Sequence, residues 1–231
     1  MMKTVLITGT NRGLGLEFVK QYLEAGNRVL ATARVPEESA ELQALKQQYP
    51  NHLSLYELDV SSADSRKQFA KAIGDQPLHL LINNAGVHGG WGQLGKLDED
   101  EWLKCLHINC IAPIKLVEIL RANLVNAEHA TVAILTSKMG SVSDNTSGGS
   151  YIYRSSKAAL NAAAKSLSVD LAGEKIKVAI LHPGWVRTDM GGPHGLIDTA
   201  TSIGGMRRVL TNLTWDQSGT FIAYDGTVIP W

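Results

Sequence analysis

A tyrosine and a lysine stand four residues apart in the run Tyr153-Arg154-Ser155-Ser156-Lys157, and Ser137 ends an apolar run upstream of them. Together they offer a proton donor, a cation that can acidify it, and a hydroxyl that can hold a carbonyl oxygen. On a helix, positions i and i+4 share a face, so the Lys157 ammonium can reach toward the Tyr153 phenol. A free tyrosine releases its proton only near pH ~10. A neighbouring positive charge favours the phenolate, and that shift is what acid–base work at neutrality requires. Alone the pair says little, because a tyrosine and a lysine at this spacing are usually surface neighbours. Tyr151 and Ser141 are rivals for the same roles, although Tyr151 has Ser155, not a lysine, four residues on.

The elements that must position such a trio begin at the other end of the chain. Lys3 to Thr8 is a short β-branched apolar run suited to a buried parallel strand. It leads into Gly9-Thr10-Asn11-Arg12-Gly13-Leu14-Gly15, after which Leu16, Val19 and Leu23 recur at helical spacing and Gly26 fits a helix stop. Strand, glycine loop and helix are the context in which backbone amides and a helix N-terminus bind a dinucleotide pyrophosphate. The spacing is Gly-x-x-x-Gly-x-Gly, not the Gly-x-Gly-x-x-Gly fingerprint. The physical need is unchanged: a tight turn and close approach of backbone to ligand and of helix to strand. An ordinary glycine turn is the plainer alternative.

Strand-like runs recur at Val5–Thr8, Arg28–Thr32, Leu53–Leu58, Leu78–Ile82, Thr131–Thr136, Lys177–Leu181 and Thr220–Tyr224. Helical patterns lie at Leu16–Ala25, Ser39–Gln48, Asp64–Ile73, Asp98–Leu124 and Tyr151–Ala172. This alternation predicts one α/β domain over residues 1–231, a doubly wound, mainly parallel seven-stranded sheet with helices on both faces. Residues 184–218 lack a clear strand, and a segment of that length usually serves as a lid or binding loop, so substrate closure is expected there. A peripheral helix pair covering the sheet is the alternative.

Composition narrows the function classes. At 231 residues, 44% of them hydrophobic, the chain supports one substantial core. Lys plus Arg equals Asp plus Glu at 22 each, so no global field draws it to nucleic acid or an anionic membrane. A strand entered by Thr4 leaves no space for a signal peptide, and no apolar run approaches the ~18 residues of a membrane span. Cys105 and Cys110 fall in one predicted helix, pointing about 140° apart, which makes a mutual disulfide implausible and a reducing, cytoplasmic address the expectation. No metal site is expected, since His182 and His194 lack a suitable third ligand nearby.

Taken together, these residues resemble the short-chain dehydrogenase/reductase family. Its glycine motif matches Thr8 to Gly15, its Asn-Asn-Ala-Gly motif Asn83-Asn84-Ala85-Gly86, its Tyr-x-x-x-Lys Tyr153 to Lys157, and its Pro-Gly motif Pro183-Gly184. Ser137 to Ser141, the run on to Asn161, and the closing Tyr224-Asp225-Gly226 and Ile229-Pro230-Trp231 are most similar to sniffer-type carbonyl reductases and C-factor-like proteins. The resemblance implies a Rossmann-type fold. It implies that Ser137 holds the substrate carbonyl, Tyr153 gives the proton, and Lys157 binds ribose hydroxyls and acidifies Tyr153. Asn109 would be the fourth catalytic residue, holding a water that links Lys157 to solvent. Gly9 to Gly15 would bind the cofactor phosphates, Asp59 the adenine amino group beside Val60, and Asn84, with Ala85 and Gly86, the cofactor ribose region. After Pro183 and Gly184, the Val186 backbone would meet the nicotinamide carboxamide and the Thr188 hydroxyl the carboxamide or pyrophosphate. Family members dimerise through helices like Asp98–Leu124 and Tyr151–Ala172, so a homodimer or homotetramer is expected.

NAD-specific members end the second strand in a carboxylate. Here that strand runs into Ala33-Arg34, and Arg12 lies in the phosphate loop, so two guanidiniums could fork around a 2′-phosphate. The expected cofactor is therefore NADPH. The reading is a reductase of a small-molecule ketone, aldehyde or quinone. The alternative is a dinucleotide-binding signalling or redox-sensing protein with little turnover. His88, Trp91, Trp185, Met190 and His194 flank the loops and could line an apolar pocket.

Overall fold

The structure is a computed structural model described over residues 2–90 and 92–231; Trp91 lies outside the described residues. Seven strands, β1 (Thr4–Thr8), β2 (Arg28–Ala33), β3 (Leu53–Glu57), β4 (Leu80–Asn83), β5 (Thr131–Leu135), β6 (Lys177–His182) and β7 (Phe221–Ala223), form one sheet in the order β3-β2-β1-β4-β5-β6-β7. Every strand pair is parallel. The order reverses between β1 and β4, and ligands of open α/β sheets bind at the carboxyl ends of the strands beside such a switch point.

The strands bury both faces, so their apolar residues divide by alternation. Leu6, Leu30, Leu81, Val132, Ile134, Val178 and Ile180 face one core. Val5, Ile7, Val29, Ala31, Ile82, Ala133 and Leu181 face the other. Helices α1 (Gly13–Glu24) and α2 (Ala40–Gln48) supply Phe18, Val19, Leu23 and Leu42 to the second core. Helix α3 (Ala63–Ile73) supplies Phe69 and Ile73 to the first.

The expected helix over Asp98–Leu124 is interrupted. It is built as α4 (Glu99–Leu106), a π turn over His107–Ile111, α5 (Ala112–Ile119) and the short α6 (Arg121–Val125). Pro113 has no amide hydrogen to give the Asn109 carbonyl one α-turn back, which fits the local change of pitch. Leu116 and Leu120 still reach the first core, as do Leu160 and Ala164 of α7 (Tyr151–Asp170).

The segment 184–218 also differs from the expectation of a single binding loop. Residues 184–198 are irregular, joined by the bridges Val186↔Ile197 and Thr188↔Gly192. Helix α8 (Thr199–Asn212) follows, burying Ile203 and Met206 in the second core. It is held to α1 by Arg207, whose guanidinium lies 5.0 Å from the Tyr22 ring. Part of the segment is thus sheet cover, and only the first half is free to serve a site.

The tail folds back along β7. Ala223 N donates to Thr227 O at 2.8 Å and Ile229 N to Phe221 O at 2.8 Å. The Trp231 ring stacks on Phe221, and its carbonyl accepts from Ser143 N at 2.9 Å and Ser141 Oγ at 3.1 Å.

Candidate active site

Helices α2, α3, α4 and α8 each start on a side-chain cap, from Ser39, Ser62, Asp98 and Asp198. Helix α1 does not: its N-cap position is Arg12, whose side chain caps nothing, and the first internal bond is Leu16 N to Arg12 O at 3.3 Å. The earlier amides of α1 are left for an external acceptor. The approach is close. A Cβ on Gly15 would lie 2.1 Å from Gly9 O, and Gly9, at φ +68°, would bring one within 3.0 Å of Ala85 Cα. Gly13 also has positive φ and faces Thr188, whose Cγ2 would be 3.8 Å from its added Cβ.

The loop after β4 clamps this cradle. Asn84 Nδ2 donates to Thr8 O at 2.7 Å and Gly9 O at 3.0 Å, while the Asn84 and Ala85 amides both donate to Thr8 Oγ1 at 3.0 Å. Thr10 fastens the other side, its amide and hydroxyl both donating to Thr32 O. Thr8 was not singled out from sequence, although it precedes Gly9 directly. A glycine cradle aimed from an uncapped helix start fits the pyrophosphate of a dinucleotide.

At the adenosine end, Asp59 Oδ1 accepts from Ser61 N at 2.9 Å and Ser61 Oγ at 2.6 Å. Burial disfavours its charge, but these bonds and the fields of Arg34 and Arg66 hold its carboxyl below the usual range. Arg66 donates to the Val60 carbonyl. Arg34 is exposed, and exposed Arg12 lies 3.5 Å from Asp189 Oδ2, so the phosphate loop touches the 184–198 loop. Arg12, one of the two arginines expected to fork around a 2′-phosphate, is thus paired with Asp189 in this structure.

Ser137, Tyr153 and Lys157 are brought together at the end of β5. All three are buried, at 8%, 9% and 6% exposure. The Ser137 hydroxyl lies near the Tyr153 phenol and favours its charged form, and the His88 ring stacks on Tyr153 at 4.9 Å. Burial pushes the Tyr153 phenol up to about 12, with the Ser137 hydroxyl pulling it down. Burial likewise holds the Lys157 ammonium down to about 8. The acidified phenol expected from the spacing is therefore not a property of the bare chain. Lys157 Nζ sits 5.8 Å from the Tyr153 ring centre and donates to Leu135 O at 2.9 Å, so its charge does not offset the loss of water.

The rivals are used elsewhere. Ser141 Oγ donates to Trp231 O and accepts from Asp144 N, and Tyr151 is exposed at the start of α7.

Asn109, 1% exposed on the π turn, spends its side chain on structure. Its Oδ1 accepts from Val87 N at 2.8 Å, and its Nδ2 donates to Val87 O at 2.8 Å and Ser156 Oγ at 3.0 Å. A water held for Lys157 would have to bind the Asn109 main chain. Gly86 fits between the two side chains: a Cβ there would be 3.1 Å from Asn109 Oδ1 and 3.7 Å from Lys157 Nζ. Ser156 and Gly140 escaped the sequence reading. Gly140 packs so tightly on α7 that an added Cβ would lie 2.8 Å from the Lys157 carbonyl carbon. Nothing in composition marks such a glycine except its place in Ser137-Lys138-Met139-Gly140.

Beyond β6, Gly184 has φ +86°, and a Cβ there would strike Ile197 and the Tyr224 ring. Val186 is buried, and Thr188 Oγ1 accepts from Gly191 N at 3.1 Å, shaping the loop over the cradle. Trp185 and Met190 are exposed on that loop. Among the described residues no group of three His, Cys, Asp or Glu could hold a metal ion, and no helix is long and apolar enough to cross a membrane.

Comparison with known proteins agrees with this geometry. Residues 3–195 match the family model described as short chain dehydrogenase. C-signal of Myxococcus xanthus is 43% identical over 165 residues, 71% of this chain and 99% of that protein. Carbonyl reductase Sniffer of D. melanogaster superposes with a TM-score of 0.94 at 36% identity, covering 100% of both chains. An NADPH-bound carbonyl reductase from chicken fatty liver does so with a TM-score of 0.94 at 33% identity, covering 100% of this chain and 99% of that one.

Proposed function

The chain belongs to the short-chain dehydrogenase family, and from that premise we propose that it is an NADPH-dependent reductase of small-molecule carbonyl compounds. As a member of that family it is an oxidoreductase that uses a nicotinamide dinucleotide. The observation that carries the finer reading is the buried cluster of Ser137, Tyr153 and Lys157 at the end of β5, with the Lys157 ammonium 5.8 Å from the Tyr153 ring centre.

Gly9 to Gly15 and the start of α1 would hold the phosphates, Asp59 and Val60 the adenine, and Arg12 and Arg34 a 2′-phosphate. Lys157 would take the nicotinamide-side ribose, with Asn84 to Gly86 behind it, and Val186 and Thr188 would orient the carboxamide. The dinucleotide, when bound, supplies the hydride. Ser137 and Tyr153 then donate to the substrate oxygen, stabilising the negative charge that develops there. Tyr153 would release its proton to that oxygen, and the Lys157 ammonium on the same helix face would favour the phenolate left behind. A water held by the Asn109 main-chain carbonyl would link Lys157 to solvent, so that a proton returns through water and Lys157 to the Tyr153 phenolate. Residues 184–198 close over the substrate, with Trp185 and Met190 on the closing loop.

The exposed Leu103, Ile111 and Val169 lie on or beside α4 and α7, which Trp102 Nε1 ties together through Ser155 Oγ at 2.7 Å. That face is where a second copy would pack, giving a homodimer or tetramer. Both thiols are free, in keeping with a reducing cytoplasm.

A second reading is a dinucleotide-binding signalling protein with little turnover, favoured by the likeness to C-signal. A sensor has no evident need for the Ser137, Tyr153 and Lys157 set. Steady-state oxidation of NADPH with a panel of ketones, aldehydes and quinones decides between the two. Tight cofactor binding without turnover of any of them would overturn the reductase.

A further inference from the structure

One strand outward from Ser137, a cavity of about 480 Å³ opens between the ends of β6 and β7. Neither Ser137 nor Tyr153 lines it, but it begins at the residues that follow the site: Lys138 after Ser137, and Gly184 and Trp185 after Pro183. Its other walls include Leu196, Tyr224 and Val228. His182 stands at its floor, at the last position of β6, in register with Ala223. Val178 and Ile180 face the core shared with α7, so by strand alternation His182 points to the same side of the sheet as Tyr153. The cavity therefore neighbours the site along the chain, at the ends of β5 and β6, and His182 faces the α7 side of the sheet, where Tyr153 also lies.

Its polar equipment is unusual. His182 Nδ1 is buried and has no hydrogen-bond partner among the described residues. A buried polar atom left unpaired is costly, and such an atom facing a cavity calls for a ligand or water. Burial and then the field of Lys138 hold this imidazole down to about 4, so at neutral pH it is an uncharged group with one donor and one acceptor nitrogen. The charges that face it come from every side of the cavity: Lys138 from the turn after β5, Asp144 from the loop before α7, and Asp225 from the turn after β7. Lys138 pairs with Asp144 at 3.0 Å, and Asp225 accepts from Thr227 N at 3.0 Å, so the rim charges are engaged with one another or with backbone and the imidazole is the group left to bind a ligand.

We infer that this cavity is a distal substrate subsite, in which His182 hydrogen-bonds an uncharged polar group at the far end of an otherwise apolar carbonyl substrate. The inference rests on the reductase reading and deepens it. The ligand class is a ketone or aldehyde whose body lies against Trp185, Leu196 and Val228 and ends in an amide or hydroxyl.

The test uses the full chain with NADPH and aryl ketones that share one alkyl tether and end in a methyl or a primary amide. Within the wild type, kcat/KM should favour amide over methyl by at least about fivefold, the size of one neutral hydrogen bond. His182→Ala should erase the amide-to-methyl ratio and His182→Gln should restore part of it. A ratio unchanged in His182→Ala overturns the subsite while the reductase stands. Histidine ring nitrogen resonances give a readout free of turnover: the amide compound should move those of His182 and the methyl compound should not. If no ketone is reduced yet His182 responds to the amide, the site stands and the reductase falls. If His182 is silent to the amide, the site falls.

Discussion

Replacing Lys157 with methionine should make the protein more stable and inactive at once. Methionine matches the length of the lysine stem and carries no charge, and Lys157 is buried at 6% exposure. Holding at about 8 an ammonium whose ordinary value is 10.5 costs about 3 kcal/mol at neutral pH. Against this, the Leu135 carbonyl loses its 2.9 Å donor, worth about 1–2 kcal/mol. The net expectation is a gain of about 1–2 kcal/mol, or roughly 2–6 °C in Tm for a chain of this size. The sign also fixes a pH dependence. Below about 8 the lysine is protonated folded and unfolded, and the full penalty is present. Between about 8 and 10.5 the unfolded chain keeps a proton that the folded one has lost, so this residue makes wild-type stability rise with pH. The advantage of methionine should thus be greatest at and below pH ~8 and fade toward pH ~10.5. Chemical denaturation of both proteins without cofactor, from pH ~7 to ~10, measures it. A variant less stable than wild type at neutrality, or a gap that does not narrow with alkalinity, refutes the reasoning. Added NADPH should stabilise the wild type more than the variant, because the variant has lost a ribose partner.

Tyr153→Phe should lower turnover by at least about a hundredfold while cofactor still binds, read by steady-state kinetics and NADPH fluorescence titration. Loss of that size in Tyr151→Phe instead would move the acid to Tyr151. Wild-type kcat/KM should favour NADPH over NADH by at least about tenfold, roughly 1.4 kcal/mol. The Arg12→Ala, Arg34→Ala double variant should lose most of that preference and keep its NADH activity; equal efficiency in the wild type defeats the assignment. Light scattering at micromolar concentration should give a dimer or tetramer, and a purely monomeric mass would rule out pairing through α4 and α7.

The sheet was legible because its strands are continuous apolar runs that start and stop abruptly, and because helical patterns fill the gaps between them. The cradle was legible because only glycine tolerates the approach of Gly15 to Gly9. What escaped the sequence was set by geometry across the chain. The break at His107–Ile111 depends on how Asn109 reaches Val87, and nothing in the apolar spacing of that helix records such a reach. The 184–198 loop and α8 read as one segment because the buried Ile203 and Met206 are too few to announce a helix. The direction of the Tyr153 shift depends on burial, which spacing cannot carry; position i+4 supplied the neighbour but not the dielectric around it. The His182 cavity is assembled from three chain segments and left no local pattern at all.

The way the tail grips the loop before α7 bears on how the molecule is made. During synthesis β1, α1, β2 and β3 leave the ribosome first and can pair with one another. The turn that follows Ser137 is held through Ser141 and Ser143 by Trp231, which emerges some ninety residues later. A nascent chain should therefore own part of a phosphate cradle well before it owns an ordered acid. A cofactor bound to that cradle would favour docking of the second half of the fold on the first, and a chain stalled short of Trp231 would hold it without being able to spend it.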